Sequence, residues 1–262
     1  MHSPSLTLFS LNIISQPYSK IIFDMLLLKM SGINCFQING PVWYISSMLI
    51  CMGIIYPLLR KYKQNFIYIA APLIVILGLG YLNHNYGSLR GPSKWLGLTY
   101  KGNIRAFIEL TLGSIIYMCV EKIKTINFTK FGKIIITLTE LGCFILPFLI
   151  SQFIKSANYD YIILFIISLG IILAFSEKTL EYNLFCNKFS YWLEKLSLSL
   201  FMIHIPVRLL FIFYKPLASY TYIYKLSMFV CMSLVAGIIL MYIMDYLKKK
   251  NYFFILTKQI AY

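Results

Sequence analysis

Runs of apolar residues, each about 17–24 positions long, follow one another along the chain with only short polar breaks, long enough to cross a hydrocarbon core of about 30 Å. They predict seven spans: A, Val42–Leu59; B, Phe66–Leu82; C, Asn103–Val120; D, Ile134–Ile154; E, Tyr159–Ser176; F, Leu196–Tyr214; and G, Tyr224–Leu247. Each must be helical, because a helix satisfies its own backbone polar groups where no water is present. The fold class is therefore all-α, a polytopic transmembrane helix bundle of about seven spans. Residues 1–40 form an irregular external segment in which Ile21–Met30 predicts a short amphipathic helix, too short to span. Residues 41–250 form one membrane domain, and 251–262 a cytoplasmic tail. Pro72, Pro147 and Pro206 fall within spans and predict kinks there.

Composition agrees with the pattern. The chain is 59% hydrophobic and 13% charged, with mean hydropathy +0.74. A soluble domain carries about 25% charged residues. The net charge of +15 does not point to nucleic acid. Lys outnumbers Arg 20 to 4, and the lysines sit in short loops, where basic residues set topology. The A–B, C–D and E–F loops and the tail hold 14 basic residues, and the opposite side holds 8. The first set is therefore cytoplasmic and span A begins outside. No cleavable signal peptide is evident. The six cysteines lack metal-ligand spacing, and the topology puts Cys35 and Cys186 on opposite sides. No metal site is expected.

Ionisable residues inside spans are costly and mark cavities, partners or pathways. Span C carries Arg105 and Glu109, and span F carries His204 and Arg208, each pair on one helix face at i,i+4. With a rise of about 1.5 Å per residue, all four fall between midplane and outer leaflet. Either they line a polar cavity, or Arg105 snorkels with Glu109 as its partner while His204 is a hydrogen-bonded packing residue. Glu140 lies in the cytoplasmic half, and Asp245 snorkels or pairs near the tail. The outer loop Asn83–Gly102 mixes His84, Arg90 and Lys94 with Tyr86, Trp95 and Tyr100. That mixture suits sugars or anionic headgroups, or forms an interfacial aromatic belt. No nucleotide-binding Gly-rich loop, HExxH, CxxC or GxSxG motif occurs.

Three stretches in order carry a resemblance: Asn39–Met48 (NGPVWYISSM), Asn103–Tyr117 (NIRAFIELTLGSIIY) and Ser197–Val207 (SLSLFMIHIPV). Over about residues 20–247 the chain resembles the acyltransferase-3 family of multi-spanning membrane O-acyltransferases. The resemblance implies acetyl transfer from acyl-CoA (acetyl-CoA) to an extracytoplasmic glycan or related hydroxyl acceptor, in a bacterial cytoplasmic (inner) membrane. It implies that Arg105, Glu109, His204, Arg208 and Trp43 contribute to substrate binding, the arginines facing anionic charge and Trp43 stacking on the acceptor. The family has about ten spans and a catalytic Arg-x10-His in the first. None of His2, His84 and His204 has an Arg eleven positions earlier, so the catalytic residue stays unassigned. The expectation is a chain lacking the first three helices and inactive alone, or one arm of a split enzyme whose other polypeptide supplies them. The other function class is a transporter or flippase component for a lipid-linked sugar or anionic substrate, with the two charged pairs lining a path.

Overall fold

A computed structural model describes residues 22–23, 26–33, 42–153, 159–180, 182, 187–213 and 221–260, without side-chain surroundings for 209–213 and 249–260. Among the described residues seven long helices follow one another: α1 (Trp43–Asn65), α2 (Ala71–Tyr86), α3 (Lys101–Lys124), α4 (Lys130–Phe153), α5 (Asp160–Ala174), α6 (Lys188–Phe213) and α7 (Tyr222–Ile260). Among the described residues there is no strand, only an isolated bridge between Trp95 and Tyr100. Each apolar run thus becomes a helix, most ends shifted by a few residues, but the helix over F starts eight residues earlier, at Lys188, and the helix over G runs thirteen residues further, to Ile260.

The helices differ in length and polarity. Among the described residues three helical stretches are long and apolar enough to cross a membrane: Trp43–Tyr86, Lys130–Phe153 and Tyr222–Lys248. The helix α5 is apolar but has 15 residues, about 22 Å at the usual rise. The helices α3 and α6 carry charge within them: Arg105 and Glu109 in one, Glu194, Lys195 and Arg208 in the other.

Spans A and B are one stretch of 44 residues without a loop. Its direction changes at Tyr62, whose φ of −129° and ψ of 40° leave the helical region. A π-helical turn, Phe66–Ala70, follows. It precedes Pro72, which has no N–H to give to the carbonyl four residues back, a place where a helix widens. The corner is thus at Tyr62 and not at a proline. Its effect is a hairpin. Ser47 bonds Asn103 while Gly78 touches Ile108, so positions 31 apart on the stretch meet positions five apart on α3. Straight, that separation would be about 46 Å. At the far end of α2, Gly87 takes a left-handed φ of 60° and its N–H caps the Asn83 carbonyl.

The chain forms two compact units, one containing α1–α5 and one containing α6 and α7. In the first, α3 lies along both arms of the hairpin. Its start meets α1 through Cys51, Ile55 and Ala106, and its middle meets α2 through Val75, Leu79, Ile108 and Leu112. Tyr161 and Leu164 bring α5 against the same cluster. The helices α4 and α5 run antiparallel: Gly170 faces Cys143 so closely that a Cβ would stand 3.0 Å from it, and the Leu180 N–H donates to Thr137 Oγ1. In the second unit a Cβ on Gly237 of α7 would stand 2.7 Å from Leu200 of α6. Small residues let membrane helices approach in this way. Asp245, expected to snorkel or pair, accepts both of its contacts from Lys195 Nζ, at 2.9 and 2.8 Å.

The outward faces are apolar. Along α4, Ile135, Leu138, Phe144, Ile145 and Phe148 are exposed, and along α7 so are Val235, Ile239 and Ile243. A soluble monomer does not expose surface of this kind on such a scale; a bilayer covers it.

The expected amphipathic helix over Ile21–Met30 is not continuous. Leu27 has a φ of 59° and a 3-10 turn, Lys29–Ser31, follows, ended by Gly32 at φ 93°. The break has a packing cause. It buries Met30 against Gly102, and its N–H donates to Ser46 Oγ on α1. Cys35 and Cys186 lie outside the described residues.

Candidate functional site

The start of α3 is where polar groups from distant parts of the chain meet. Asn103 is buried and uses its whole side chain. Its Oδ1 accepts from Ser47 Oγ at 2.8 Å, and its Nδ2 donates to the Met30 carbonyl and to Thr99 Oγ1, both at 2.7 Å. Its own carbonyl accepts from Cys51 Sγ. One amide thereby ties together α1, α3, the 3-10 turn and the outer loop. Just before it, Gly102 has no room for a side chain: a Cβ would stand 2.6 Å from Met30 Cε and 3.0 Å from Trp43 Cε3. That absence brings Trp43 against α3.

On this base stands the pair legible from the sequence. Arg105 Nε donates to Glu109 Oε1 at 2.6 Å, one turn along α3. Arg105 Nη1 donates to the Leu89 carbonyl at 3.1 Å, and the guanidinium carbon lies 5.9 Å from the Trp43 ring centroid. The side chains of Arg105 and Glu109 are 30% and 15% exposed, so the pair is sheltered but not sealed. A guanidinium has five N–H groups in a fixed plane. Two are engaged here, and the other three have no partner among the described residues. The arrangement therefore presents an oriented cation with free donors beside an indole face, suited to a carboxylate, a phosphate or a developing oxyanion.

The loop between α2 and α3 is built into the site. Lys101 is 3% exposed, and its Nζ donates to the Ser88 and Arg90 carbonyls, both at 2.7 Å. Burial first, then the charges of Lys94 and Arg105, hold its pKa below the ordinary lysine value. Arg90 Nη2 reaches Asp160 Oδ1 of α5 at 3.3 Å. These contacts fix the carbonyl of Leu89, on which Arg105 rests.

Of the five expected binding residues, Arg105, Glu109 and Trp43 come together in the first unit. His204 and Arg208 stand on α6 in the other. His204 Nδ1–H donates to the Leu200 carbonyl at 3.1 Å, and its ring lies 6.1 Å from that of Phe201. Arg208 is exposed.

Asn103 and Lys101 were not among the expected residues. Asn103 opens a stretch that marks the family resemblance, yet an asparagine beside a span is commonplace. Lys101 reads as one more loop charge. Nothing local in sequence separates either from its neighbours.

A family model described as an acyltransferase domain matches residues 5–246. No curated protein and no solved structure matches the chain.

Proposed function

We propose that this chain, which belongs to the acyltransferase-3 family, forms the substrate-holding part of a membrane O-acyltransferase. In this reading the donor is acetyl-CoA and the acceptor a hydroxyl of an extracytoplasmic glycan. The observation that carries it is Arg105, aligned by Glu109 and the Leu89 carbonyl, with three N–H groups that have no partner among the described residues, against Trp43.

Acyl transfer to a hydroxyl passes through a tetrahedral oxyanion. Donors already aimed at it lower the barrier because they need no reorganisation as charge develops. Arg105 is suited to that task or to an anionic oxygen of either substrate, and Trp43 offers an apolar face to a sugar ring. Glu109 and Asn103 position these two groups. Deprotonation of the hydroxyl needs a general base. The 262 residues contain no Arg-x10-His spacing, so the base is assigned to helices supplied by another polypeptide or another part of the protein.

Sidedness follows charge. Within the first unit, Lys63 lies over Tyr117 and Lys124 pairs with Glu177 at one end, whereas Arg90 pairs with Asp160 at the other. The end with Arg60, Lys61, Lys63, Lys122 and Lys124 is assigned to the cytoplasm of a bacterial inner membrane, and the C-terminus, by its own Lys248, Lys249, Lys250 and Lys258, is assigned to the cytoplasm as well.

The test is transfer of labelled acetyl from acetyl-CoA to glycan in membrane vesicles. No transfer is expected from the 262 residues alone. Co-expression of helices bearing Arg-x10-His should give transfer, and Arg105→Ala should lower it about 100-fold, the loss usual for one oxyanion donor. Transfer by the chain alone, no transfer on co-expression, or transfer indifferent to Arg105→Ala would each reject this reading.

A further inference from the structure

The loop joining α2 to α3 carries charge and apolar surface that the proposed acyl transfer does not use. From Pro92 to Gly102 the chain folds as a small hairpin: the Gly102 N–H donates to the Pro92 carbonyl, the Lys101 N–H to that of Lys94, and the Leu96 N–H to that of Thr99. Gly97 makes the tip with a φ of 87°, and the Trp95 and Tyr100 rings meet edge to face at 4.9 Å. Behind the hairpin, Gly32 lies against the Trp95 ring, from which a Cβ there would stand 3.5 Å, in ordinary contact.

This rigid tip points apolar groups outward. Leu98 is 91% exposed and Trp95 50%. The hairpin lies where α2 ends and α3 begins, at one end of an apolar stretch long enough to cross a membrane. An exposed leucine and tryptophan at that level fit the boundary between acyl chains and headgroups.

Charge sits beside them. Lys94 Nζ lies 4.6 Å from the Tyr86 ring centroid, and Lys101 Nζ lies 4.9 Å from the same centroid. Arg90 and Arg105 belong to the same end of the unit. Against these four cations stand the carboxylates of Asp160 and Glu109, each already paired with one of the arginines. Neither Lys94 nor Lys101 has a carboxylate partner among the described residues. Lys101 spends its donors on carbonyls and is buried, whereas Lys94 is exposed beside the apolar tip. An excess of positive charge next to an apolar tip is complementary to a phosphate carried on a lipid, more than to one free in water.

We propose that the hairpin Pro92–Gly102 is a docking surface for an anionic phospholipid. Lys94 holds the headgroup phosphate, and Trp95 and Leu98 enter the leaflet beside it. The Tyr86 ring holds Lys94 in place, and the buried Lys101 adds to the local positive field. The surface does not depend on acyl transfer, and its test needs no turnover.

The full chain is reconstituted in nanodiscs containing brominated phosphatidylglycerol or brominated phosphatidylcholine, and quenching of tryptophan fluorescence is measured. The Trp95 signal is the difference between the chain and its Trp95→Phe variant. Phosphatidylglycerol is expected to quench that signal about fivefold more effectively than phosphatidylcholine, the preference expected of one lysine at an anionic surface. Lys94→Gln should abolish the preference and Lys94→Arg should keep it, with far-ultraviolet circular dichroism showing unchanged helix in both. Inorganic phosphate at millimolar levels should leave it intact. Equal quenching by the two lipids, or a preference that survives Lys94→Gln, would overturn the proposal. Loss of the preference to inorganic phosphate would give the site to a soluble anion and overturn it as well.

Discussion

Gly78 and Ile108 stand so close that a Cβ on the glycine would lie 2.5 Å from Ile108 Cγ1 and 2.6 Å from its Cδ1. The contact seats the second arm of the hairpin on α3, five residues beyond Asn103. Gly78→Val should therefore force the helices apart and cost about 1–3 kcal/mol, the usual penalty for overpacking. Gly80, on the same helix, has nothing within 4 Å of its missing Cβ. Gly80→Ala should be neutral or slightly stabilising, since alanine is the better helix former. Thermal unfolding in detergent separates the two.

Asn103→Leu removes the side chain that bonds Ser47, the Met30 carbonyl and Thr99 together. Each buried polar atom left without a partner costs about 1–3 kcal/mol. The expected outcome is a lower melting temperature and early protease cleavage in the Lys29–Gly32 turn, which would lose its bond to Asn103 and be held by the Met30 N–H bond to Ser46 Oγ. A melting temperature within a degree of the parent chain would show that the latch is dispensable.

Arg105→Lys keeps the charge and loses the planar fork. A lysine ammonium is a point charge that does not reproduce the Nε and Nη1 directions toward Glu109 and Leu89. Acetyl transfer in the co-expressed system should fall at least tenfold, while helix content stays unchanged. Glu109→Gln keeps the shape and removes the negative charge that aligns Arg105. Its stability cost should be about 1.5–3 kcal/mol, the range for a hydrogen bond to a charged group.

Lys101 has a pH signature opposite in sign to that of a salt-bridged lysine. Burial, Lys94 and Arg105 lower its folded pKa, so the folded state gives up the proton at lower pH than the unfolded chain does. Between the two values the unfolded state binds more protons, and stability rises with pH. Below the lowered pKa this gain is absent. Melting of the parent chain minus that of Lys101→Met should therefore become more favourable to the parent as pH climbs toward the ordinary lysine value. A flat difference would mean that Lys101 titrates normally.

How much of this was legible in sequence differs from residue to residue. The apolar runs gave helices because hydrocarbon leaves the backbone no alternative. Arg105 and Glu109 were legible as a pair because four residues of helix bring them to one face. The partners of Asn103 were not, since Met30 lies 73 and Ser47 56 residues away, and only the folded chain joins them. Arg60, Lys61 and Lys63 read as a loop between two spans. The helix runs on through them and bends at a single residue, because polar side chains at a membrane surface are as compatible with helix as with coil. Lys101 read as a solvent-facing loop charge, whereas two backbone carbonyls and the Tyr86 ring supply what water would have given it.

The corner at Tyr62 bears on how the chain enters its membrane. With no slack between its arms, Trp43–Tyr86 is expected to insert as one unit, not with one arm threaded across while the other waits behind. In the proposed orientation the arms are expected to partition together, as one bent rod whose basic bend stays on the cytoplasmic side. Deleting charge at Arg60, Lys61 and Lys63 would invert or strand the whole rod, and the start of α3 would lose both of its walls in one event.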